Sequence, residues 1–340
     1  MNIKHMVTRS GRLGLLAGAL IVLGSAATVA EPVKIRIAWS VAPAHLTPLI
    51  TMVPKKVYRH WGKSYVVEPI RMRGSGPMAT ALAAKEVDIA GYSYQAFALS
   101  VVNANLQVRA IADVLTNKPP HANAGFWVRK ADGIKKVEDL KGKRLAVNAR
   151  GSGVDASLRK MMMDHKLKDG RDYQIVEIRF PNMLSALDSK RVDMSFLVLP
   201  FNFIAERKGK FKRLFTLRDS LGPNVTVLWT TRKSFVDKNR AALVDFLEDQ
   251  IRMRRWLYDP KNRKAAVALV AKATKRPAKN YAGWVFTKKD NFRALDAKFD
   301  AAMLQRNVDD LYKLKVTKGT FDTSKYIDLS IADEANKRLK

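Results

Sequence analysis

The chain contains no cysteine, and this absence removes several functions at once. Without a thiol there are no disulfides, no cysteine nucleophile and no thiol-linked cofactor. A lipid anchor on an amino-terminal cysteine is excluded as well. Histidine is also scarce, and none of the five histidines pairs with another at the spacing of a zinc site. We therefore expect no metal site and no cofactor.

The chain lacks the common sequence motifs of catalytic sites, and it has few acidic residues. The chain has no Gly-x-Ser-x-Gly elbow and no Walker-type phosphate loop, so we expect no catalytic residues. Asp and Glu number 31 against 62 Lys and Arg, which gives a net charge of +31. The basic residues are spread along the whole chain without a nucleic-acid-binding signature, so we expect no nucleic-acid partner. A solvated basic surface and a positive field that attracts anions or an anionic membrane remain two interpretations.

Long hydrophobic runs are lacking except near the amino terminus. The run Leu13–Leu23 is eleven residues, which is too short to span a bilayer comfortably. Three basic residues precede it, and small residues follow it up to Ala30, which is the pattern of a cleaved secretory signal. We predict that residues 1–30 are a signal peptide and that the mature protein begins at Glu31, free in the periplasm.

Beyond residue 30 the pattern alternates between strands and helices. This alternation predicts an α/β fold with largely parallel sheets. A mature chain of this length exceeds one ordinary core and indicates two lobes. We predict strands at 33–40, 65–73, 87–90, 126–129, 143–148, 173–180 and 192–199, and helices at 78–84, 153–165, 182–189, 237–259, 264–273 and 293–304.

An internal repeat supports the two lobes. Residues 78–88 (MATALAAKEVD) recur 105 positions later at 183–193 (MLSALDSKRVD), with six identities in eleven positions. Upstream, 36–40 (RIAWS) matches 144–148 (RLAVN). Two lobes of one design leave a cleft at the carboxyl ends of their strands, where α/β sheets bind ligands. The predicted lobes are 31–120 with 223–340, which includes a helical tail, and 121–222.

Two Gly-Ser-Gly turns, at 74–76 and 151–153, occupy comparable places in the two halves. Each opens a predicted helix, where glycine permits close approach and the free N–H groups and the helix dipole favour an anion. A serine N-cap without a ligand is the alternative. Arg71, Arg73 and Arg150 lie beside these turns and are either ligand partners or rim charges. The candidate ligand-binding residues are Ser40, Gly74, Ser75, Gly76, Tyr92, Ser93, Arg150, Gly151, Ser152, Phe201 and Trp229.

The chain resembles the nitrate/sulfonate/taurine family of periplasmic solute-binding proteins over nearly all of its mature length. The resemblance lies in segments 78–90, 133–144 (GIKKVEDLKGKR), 184–193 and 228–239. It implies a type II periplasmic binding protein fold, whose two lobes are joined by crossings near 118–123 and 221–225. The family's binding loops correspond to Ser40, 74–76, Tyr92-Ser93 and Gly151-Ser152. The usual Trp-Glu-Pro is replaced by Val198-Leu199-Pro200, so Phe201 is the expected aromatic wall.

The resemblance implies the solute-binding component of an ABC importer, with an inner-membrane permease as its partner. The expected ligand is a small anion, either a sulfonate, a nitrate-like oxyanion or an organic carboxylate, and the expected state is a monomer. Two alternatives stay open. One is an enzyme on the same scaffold, similar to pyrimidine-precursor synthases or prephenate dehydratases. The other is a periplasmic sensor or adaptor that uses the same trap.

Overall fold

Two five-stranded sheets organise the computed structural model, which describes residues 31–121 and 124–339. The predicted signal peptide lies outside the described residues. In chain order the strands are β1 (Val33–Trp39), β2 (Tyr65–Arg71), β3 (Ile89–Ser93), β4 (Val108–Asn117), β5 (Gly125–Arg129), β6 (Arg144–Val147), β7 (Gln174–Glu177), β8 (Met194–Leu197), β9 (Phe211–Thr216) and β10 (Asn224–Arg232). The first sheet has the order β2-β1-β3-β10-β4, and the second has the order β7-β6-β8-β5-β9.

Helices cover the sheets and form the carboxyl-terminal region. They are α1 (Ser75–Ala83), α2 (Tyr94–Val102), α3 (Gly153–Asp164), α4 (Phe180–Asp188), α5 (Phe201–Lys208), α6 (Leu217–Leu221), α7 (Lys233–Tyr258), α8 (Arg263–Thr274), α9 (Ala301–Lys313) and α10 (Ser330–Lys337). In the described part of the chain, no helix is both long enough and apolar enough to cross a membrane. The predicted α/β class is confirmed.

The two sheets share one topology. β1 pairs in parallel with β2 and β3, and β6 pairs in parallel with β7 and β8. In each sheet one strand then runs antiparallel to both of its neighbours: β10 lies between β3 and β4, and β5 lies between β8 and β9. The strand β10 returns to the first sheet after the second is complete, so the chain passes between the sheets twice. This topology is what the internal repeat predicts.

The repeat extends to individual ion pairs. Asp88 accepts the backbone N–H of Arg36 at 2.9 Å, and Asp193 accepts that of Arg144 at the same distance. The guanidinium of each arginine also donates at 2.7 Å to a lysine carbonyl, of Lys85 in one lobe and of Lys190 in the other. The aspartate that ends each repeat is therefore bound to the central strand of the three parallel strands of its sheet. In both carboxylates, hydrogen bonds and charge from arginine outweigh burial and lower the pKa.

We propose the predicted limits as the division into lobes. The first lobe is then 31–120 with 223–339, and the second lobe is 121–222. The strands of the first sheet lie in 33–117 and 224–232, and those of the second lie in 125–216. The connections run from the end of β4 to β5 and from the end of α6 to β10, and residues 122–123 are outside the described residues.

The predicted helix at 293–304 is wrong in its first half. The structure begins α9 at Ala301, and the carboxylate of Asp300 caps it by accepting the N–H of Met303 at 2.8 Å. The preceding residues form an irregular segment that buries Arg293 to 3% exposure. The apolar residues of this segment have helical spacing because they are buried, although the segment is not a helix. Short apolar patterns cannot distinguish these two cases.

Candidate functional site

A cavity of about 100 Å³ lies between the two sheets and is lined by both lobes. This is several times the roughly 10–15 Å³ that one water molecule requires. Its polar lining consists of Ser40, His45, Ser75, Ser93, Tyr94, Gln95, Asn117, Asn148, Ser152, Asn224, Thr226 and Asn291. Its apolar lining includes Val41, Leu115, Val154, Phe180, Phe196, Val198, Leu199, Leu217, Leu221 and Val227. The cavity is therefore polar and apolar at once, as expected of a site for a small organic molecule.

Four of the predicted residues line this cavity, and each stands where a strand ends or a helix begins. Ser40 follows β1, and Ser75 is the first residue of α1. Ser93 ends β3 and caps α2, because its hydroxyl accepts the N–H of Ala96. Ser152 caps α3 in the same way through the N–H of Asp155. The carboxyl ends of the parallel strands bring these serines to one place, as the topology predicts.

The lining carries no formal charge. Among the described residues that line the cavity there is no Lys, Arg, Asp or Glu. His45 is the one lining residue with an imidazole, and burial together with the nearby charge of Arg293 lowers its pKa to about 3. The imidazole is therefore neutral at physiological pH. Any anion in the cavity is held by neutral donors and by the helix starts that surround it.

A serine–histidine pair stands at the first-lobe side of the cavity. Ser40 Oγ lies 3.2 Å from His45 Nε2, while Nδ1 of this buried ring has no hydrogen-bond partner among the described residues. A neutral imidazole has one N–H, and a buried N–H without an acceptor is the rarer arrangement. We therefore assign the proton to Nε2, which donates to the serine oxygen. The hydroxyl proton of Ser40 is then free to donate into the cavity.

The neutral state of His45 predicts a pH dependence of stability. Its folded pKa of about 3 lies below the ordinary value of 6.5, so between these values the unfolded chain binds a proton that the folded chain excludes. Stability is retained above pH 6.5 and is lost as the pH falls, by up to about 1.4 kcal/mol per pH unit. Urea unfolding of the wild type and of His45→Gln at pH 7, 6 and 5 measures the difference. Parallel pH profiles for the two proteins would contradict the assignment.

The hydrogen-bond donors of the second Gly-Ser-Gly turn are already bound to side chains of the protein. The N–H of Gly151 donates to the carboxylate of Asp155 at 2.9 Å, and the Ser152 hydroxyl donates to Asn148 Oδ1 at 2.8 Å. Gly151 does not line the cavity. Arg150 does not line it either, because its guanidinium pairs with Asp169 at 2.8 Å. The start of α3 therefore carries its own anion, which the local sequence pattern did not reveal.

The glycines of both turns lie where the lobes approach each other. A Cβ atom on Gly74 would be 2.4 Å from Asn148 Nδ2 and 3.1 Å from the Ala149 side chain, both in the second lobe. A Cβ on Gly76 would be 3.1 Å from the Arg150 carbonyl oxygen. Gly153 of the second lobe faces Gln95 and Ser93 of the first at similar distances. The prediction was the close approach of a ligand to these glycines, and the group that the structure brings close to Gly74 and Gly76 is the other lobe.

Three predicted aromatic contacts do not form in the cavity. Tyr92 is fully buried within its sheet, and burial raises its pKa to about 12. Trp229 packs against Phe246, with ring centroids 5.2 Å apart. Phe201 opens α5 beneath the guanidinium of Arg276. Alternation along a strand directs Tyr92 and Trp229 away from the cleft. The aromatic lining is supplied instead by Tyr94, Phe180 and Phe196.

The prediction missed the carboxamides. Gln95 is 1% exposed, and its Oε1 has no hydrogen-bond partner among the described residues. Asn148 is 3% exposed, and its Oδ1 accepts the Ser152 hydroxyl. The internal repeat contains a signal for Asn148, because it aligns this residue with Ser40. Gln95 has no such signal, because it lies in α2, a helix absent from the predicted elements.

Comparisons with protein families and with solved structures find proteins of the same fold. A family model described as "NMT1/THI5 like" matches residues 66–251, which is more than half of the chain. No curated protein matches the sequence. Among solved structures, the periplasmic aliphatic sulphonate-binding protein SsuA of Escherichia coli is similar with a TM-score of 0.63 at 17% identity, covering 89% of this chain and 100% of that one.

Two further structures show the range of the fold. The periplasmic nitrate-binding protein NrtA of Synechocystis PCC 6803 has a TM-score of 0.70 at 14% identity and covers 91% of this chain and 90% of its own. The desulfurization enzyme DSZB has a TM-score of 0.62 at 15% identity and covers 91% of this chain and 100% of its own. The fold is therefore shared by binding proteins and by at least one enzyme.

The two sheets of equal topology and the cavity between them define a two-lobed periplasmic binding protein fold. Within that class, the match over 66–251 shows that the chain belongs to the NMT1/THI5-like family.

Proposed function

We propose that this protein is the solute-binding component of an ABC importer and that it captures a small anionic ligand between its lobes. The carrying observation is the cavity itself, which both lobes line with hydroxyl and carboxamide groups and no charged side chain of the described residues. An importer must release its cargo, and neutral donors bind an anion without a buried ion pair. The sulfonate- and nitrate-binding proteins of the same fold support this class of ligand.

The starts of three helices contribute to the proposed site. Ser75 and Ser93 introduce α1 and α2 from the first lobe, and Phe180 introduces α4 from the second. Each helix start carries roughly half a positive charge and free N–H groups. The Ser75 oxygen already accepts the N–H of Ser93 at 3.1 Å, so its hydroxyl proton remains for a ligand. The donors at these helix starts can therefore bind a ligand without first breaking an ion pair.

Enzymatic activity is the alternative that Ser40 and His45 suggest, since a serine beside a histidine is the start of a nucleophilic site. Two observations weigh against it. A pKa of about 3 makes the imidazole a poor base near neutral pH. The ring nitrogen that a third group would orient has no hydrogen-bond partner among the described residues. We therefore propose a binding protein and not an enzyme.

The partner and the location follow from the same proposal. A protein of this kind delivers its ligand to a permease in the inner membrane and works in the periplasm, in keeping with the signal peptide predicted at residues 1–30. We propose that it acts as a monomer, because the two lobes of a single chain supply all the described residues that line the cavity. If the protein binds the ligand but does not support its transport, the partner is a sensor and not a permease.

A matched pair of serine substitutions separates binding from capping. Ser75→Ala removes a free donor and should reduce ligand affinity by about 5- to 150-fold, equivalent to about 1–3 kcal/mol. Ser152→Ala removes a hydroxyl already used within the protein, so it should cost about 1 kcal/mol of stability with a smaller effect on affinity. Calorimetric titration and urea unfolding of both variants measure the two effects. Equal affinity losses would contradict this division of roles.

The ligand itself is found by a thermal-shift screen of the purified protein. The screen compares inorganic oxyanions, sulfonates and carboxylates with uncharged molecules of the same size. We expect a shift for at least one anion, because binding to the folded state alone raises the melting temperature. Stabilisation only by cations or by neutral compounds would overturn the proposed ligand class.

A further inference from the structure

A second, strongly basic recess opens beside the uncharged cavity. It has a volume of about 100 Å³ and is lined by Ser40, Arg71, Met72, Arg73, Arg179, Phe180 and Pro181. We call it the arginine vestibule. Ser40 and Phe180 also line the cavity, so the two spaces share a wall. Arg71 and Arg73 come from the first lobe and Arg179 comes from the second, which places the vestibule on the seam between the lobes.

The charges of the vestibule are only partly compensated. Arg73 pairs with Glu177 at 3.1 Å. Arg71 donates weakly to the Ser40 carbonyl at 3.4 Å and lies over the ring of Trp39. The guanidinium of Arg179 has neither a hydrogen bond nor an ion pair with any described residue. Three guanidiniums and one carboxylate leave a net charge of +2 at this place.

The start of α4 adds to the same field. Arg179 is its N-cap and Phe180 its first residue, and no side chain caps the helix. The positive end of this helix and the unpaired guanidinium thus point to one recess. Guanidinium groups bind sulfonate, phosphate and carboxylate oxygens through two N–H groups at once. The neighbouring cavity is uncharged, with hydroxyl, carboxamide and apolar groups in its lining, among them the unpartnered Oε1 of Gln95.

We propose that the arginine vestibule is an anion subsite and that the ligand is an amphipathic organic anion. Its charged group binds Arg71, Arg73 and Arg179, and its uncharged body passes Ser40 and Phe180 into the cavity. A hydrogen-bond donor on that body meets Gln95. This inference rests on the proposed function, since the ligand is still an anion captured between the lobes, and it changes where the charge lies: the charged group binds the arginines of the vestibule, and the neutral donors of the cavity hold the uncharged body. Pairing from both lobes also couples the anion to their closure.

Alkane-1-sulfonates test the proposal, with hexane-1-sulfonate as the main probe. Calorimetric titration of the full-length protein should show binding at least 10-fold tighter for hexane-1-sulfonate than for methanesulfonate, sulfate, nitrate or hexan-1-ol. Arg179→Gln and Arg71→Gln should each reduce affinity for hexane-1-sulfonate by about 10-fold or more, since each removes a charge-assisted hydrogen bond. The loss should persist in about 1 M salt, where the Debye length is roughly 3 Å.

Arg191→Gln is the matched control. Arg191 is an exposed arginine of the second lobe outside both spaces, so its substitution removes the same charge and should change affinity less than twofold. Unchanged binding in both vestibule variants, or a loss equal to that of the control, would overturn the subsite and leave the proposed function standing. Tight binding of nitrate or sulfate that ignores Arg179 would do the same. Binding of none of these sulfonates would overturn the subsite, while the broader screen decides the function separately.

Discussion

Replacing Arg293 by methionine is expected to lower the free energy of unfolding by about 3–5 kcal/mol, because it leaves a buried carboxylate without its partner. Arg293 Nη1 lies 3.1 Å from Asp290, and both side chains are fully buried. The same guanidinium donates to the Tyr258 hydroxyl at 3.1 Å and to the Pro43 carbonyl at 2.6 Å. It thereby ties the irregular segment before α9 to the loop that carries His45.

Urea unfolding measures this loss, with Arg191→Met as the control. The control replaces an exposed arginine and should stay within about 0.5 kcal/mol of the wild type. Adding Asp290→Asn to the Arg293 variant removes the unpaired charge and keeps one of the two side-chain oxygens that accept the N–H groups of Phe286 and Asn291. The double variant should recover part of the loss. A single-variant cost below about 1 kcal/mol would show that the pair is not important for stability.

Gly74→Val is expected to hold the lobes apart and to weaken ligand binding by about 100-fold. The added side chain would meet Asn148 and the Ala149 side chain across the seam. The Asn148 side chain can rotate away, but the Ala149 Cβ is bonded directly to the backbone and cannot. Valine also adds two methyl groups beyond the Cβ atom. The φ of Gly74 is 178°, which any residue adopts, so each lobe should still fold. If the closed fraction falls to about 1%, the apparent affinity falls by about 100-fold.

Small-angle scattering and titration with the tightest ligand of the screen measure this effect together. The wild type should contract on binding, while Gly74→Val should keep a larger radius of gyration with and without ligand. Gly283→Val is the control, because a Cβ there meets no atom within 4 Å. A Gly74 variant that contracts and binds like the wild type would show that the lobes do not meet tightly at this glycine.

The internal repeat explains why the fold was predictable. Identical residues at 78–88 and 183–193 perform identical tasks, since Asp88 and Asp193 anchor equivalent strands through equivalent arginines. Strand and helix patterns are local properties of the chain, and glycine turns mark their boundaries. The elements that were missed, such as α2 and β4, are buried stretches without clear periodicity. Their type was decided by packing in the first lobe.

The site was predictable only where it depends on backbone position. Ser40, Ser75, Ser93 and Ser152 line the cavity because strand ends and helix starts meet there. Arg150 shows the limit of this argument: it stands beside a glycine turn, yet Asp169 binds its guanidinium. The carboxylate lies 19 positions further along the chain, in a loop whose path the local pattern does not specify.

The sequence by itself determined the α/β class, the duplicated lobe and the absence of thiol chemistry, because composition, period and repeat are properties of the chain alone. The tertiary structure decided which groups face the cleft. It directed Trp229 into the core, used the α3 start for Asp155, and brought Gln95 to the cavity and Arg179 to its vestibule. These outcomes depend on which elements pack together and on how each helix start is capped, and the cavity and its vestibule exist only where the two lobes meet.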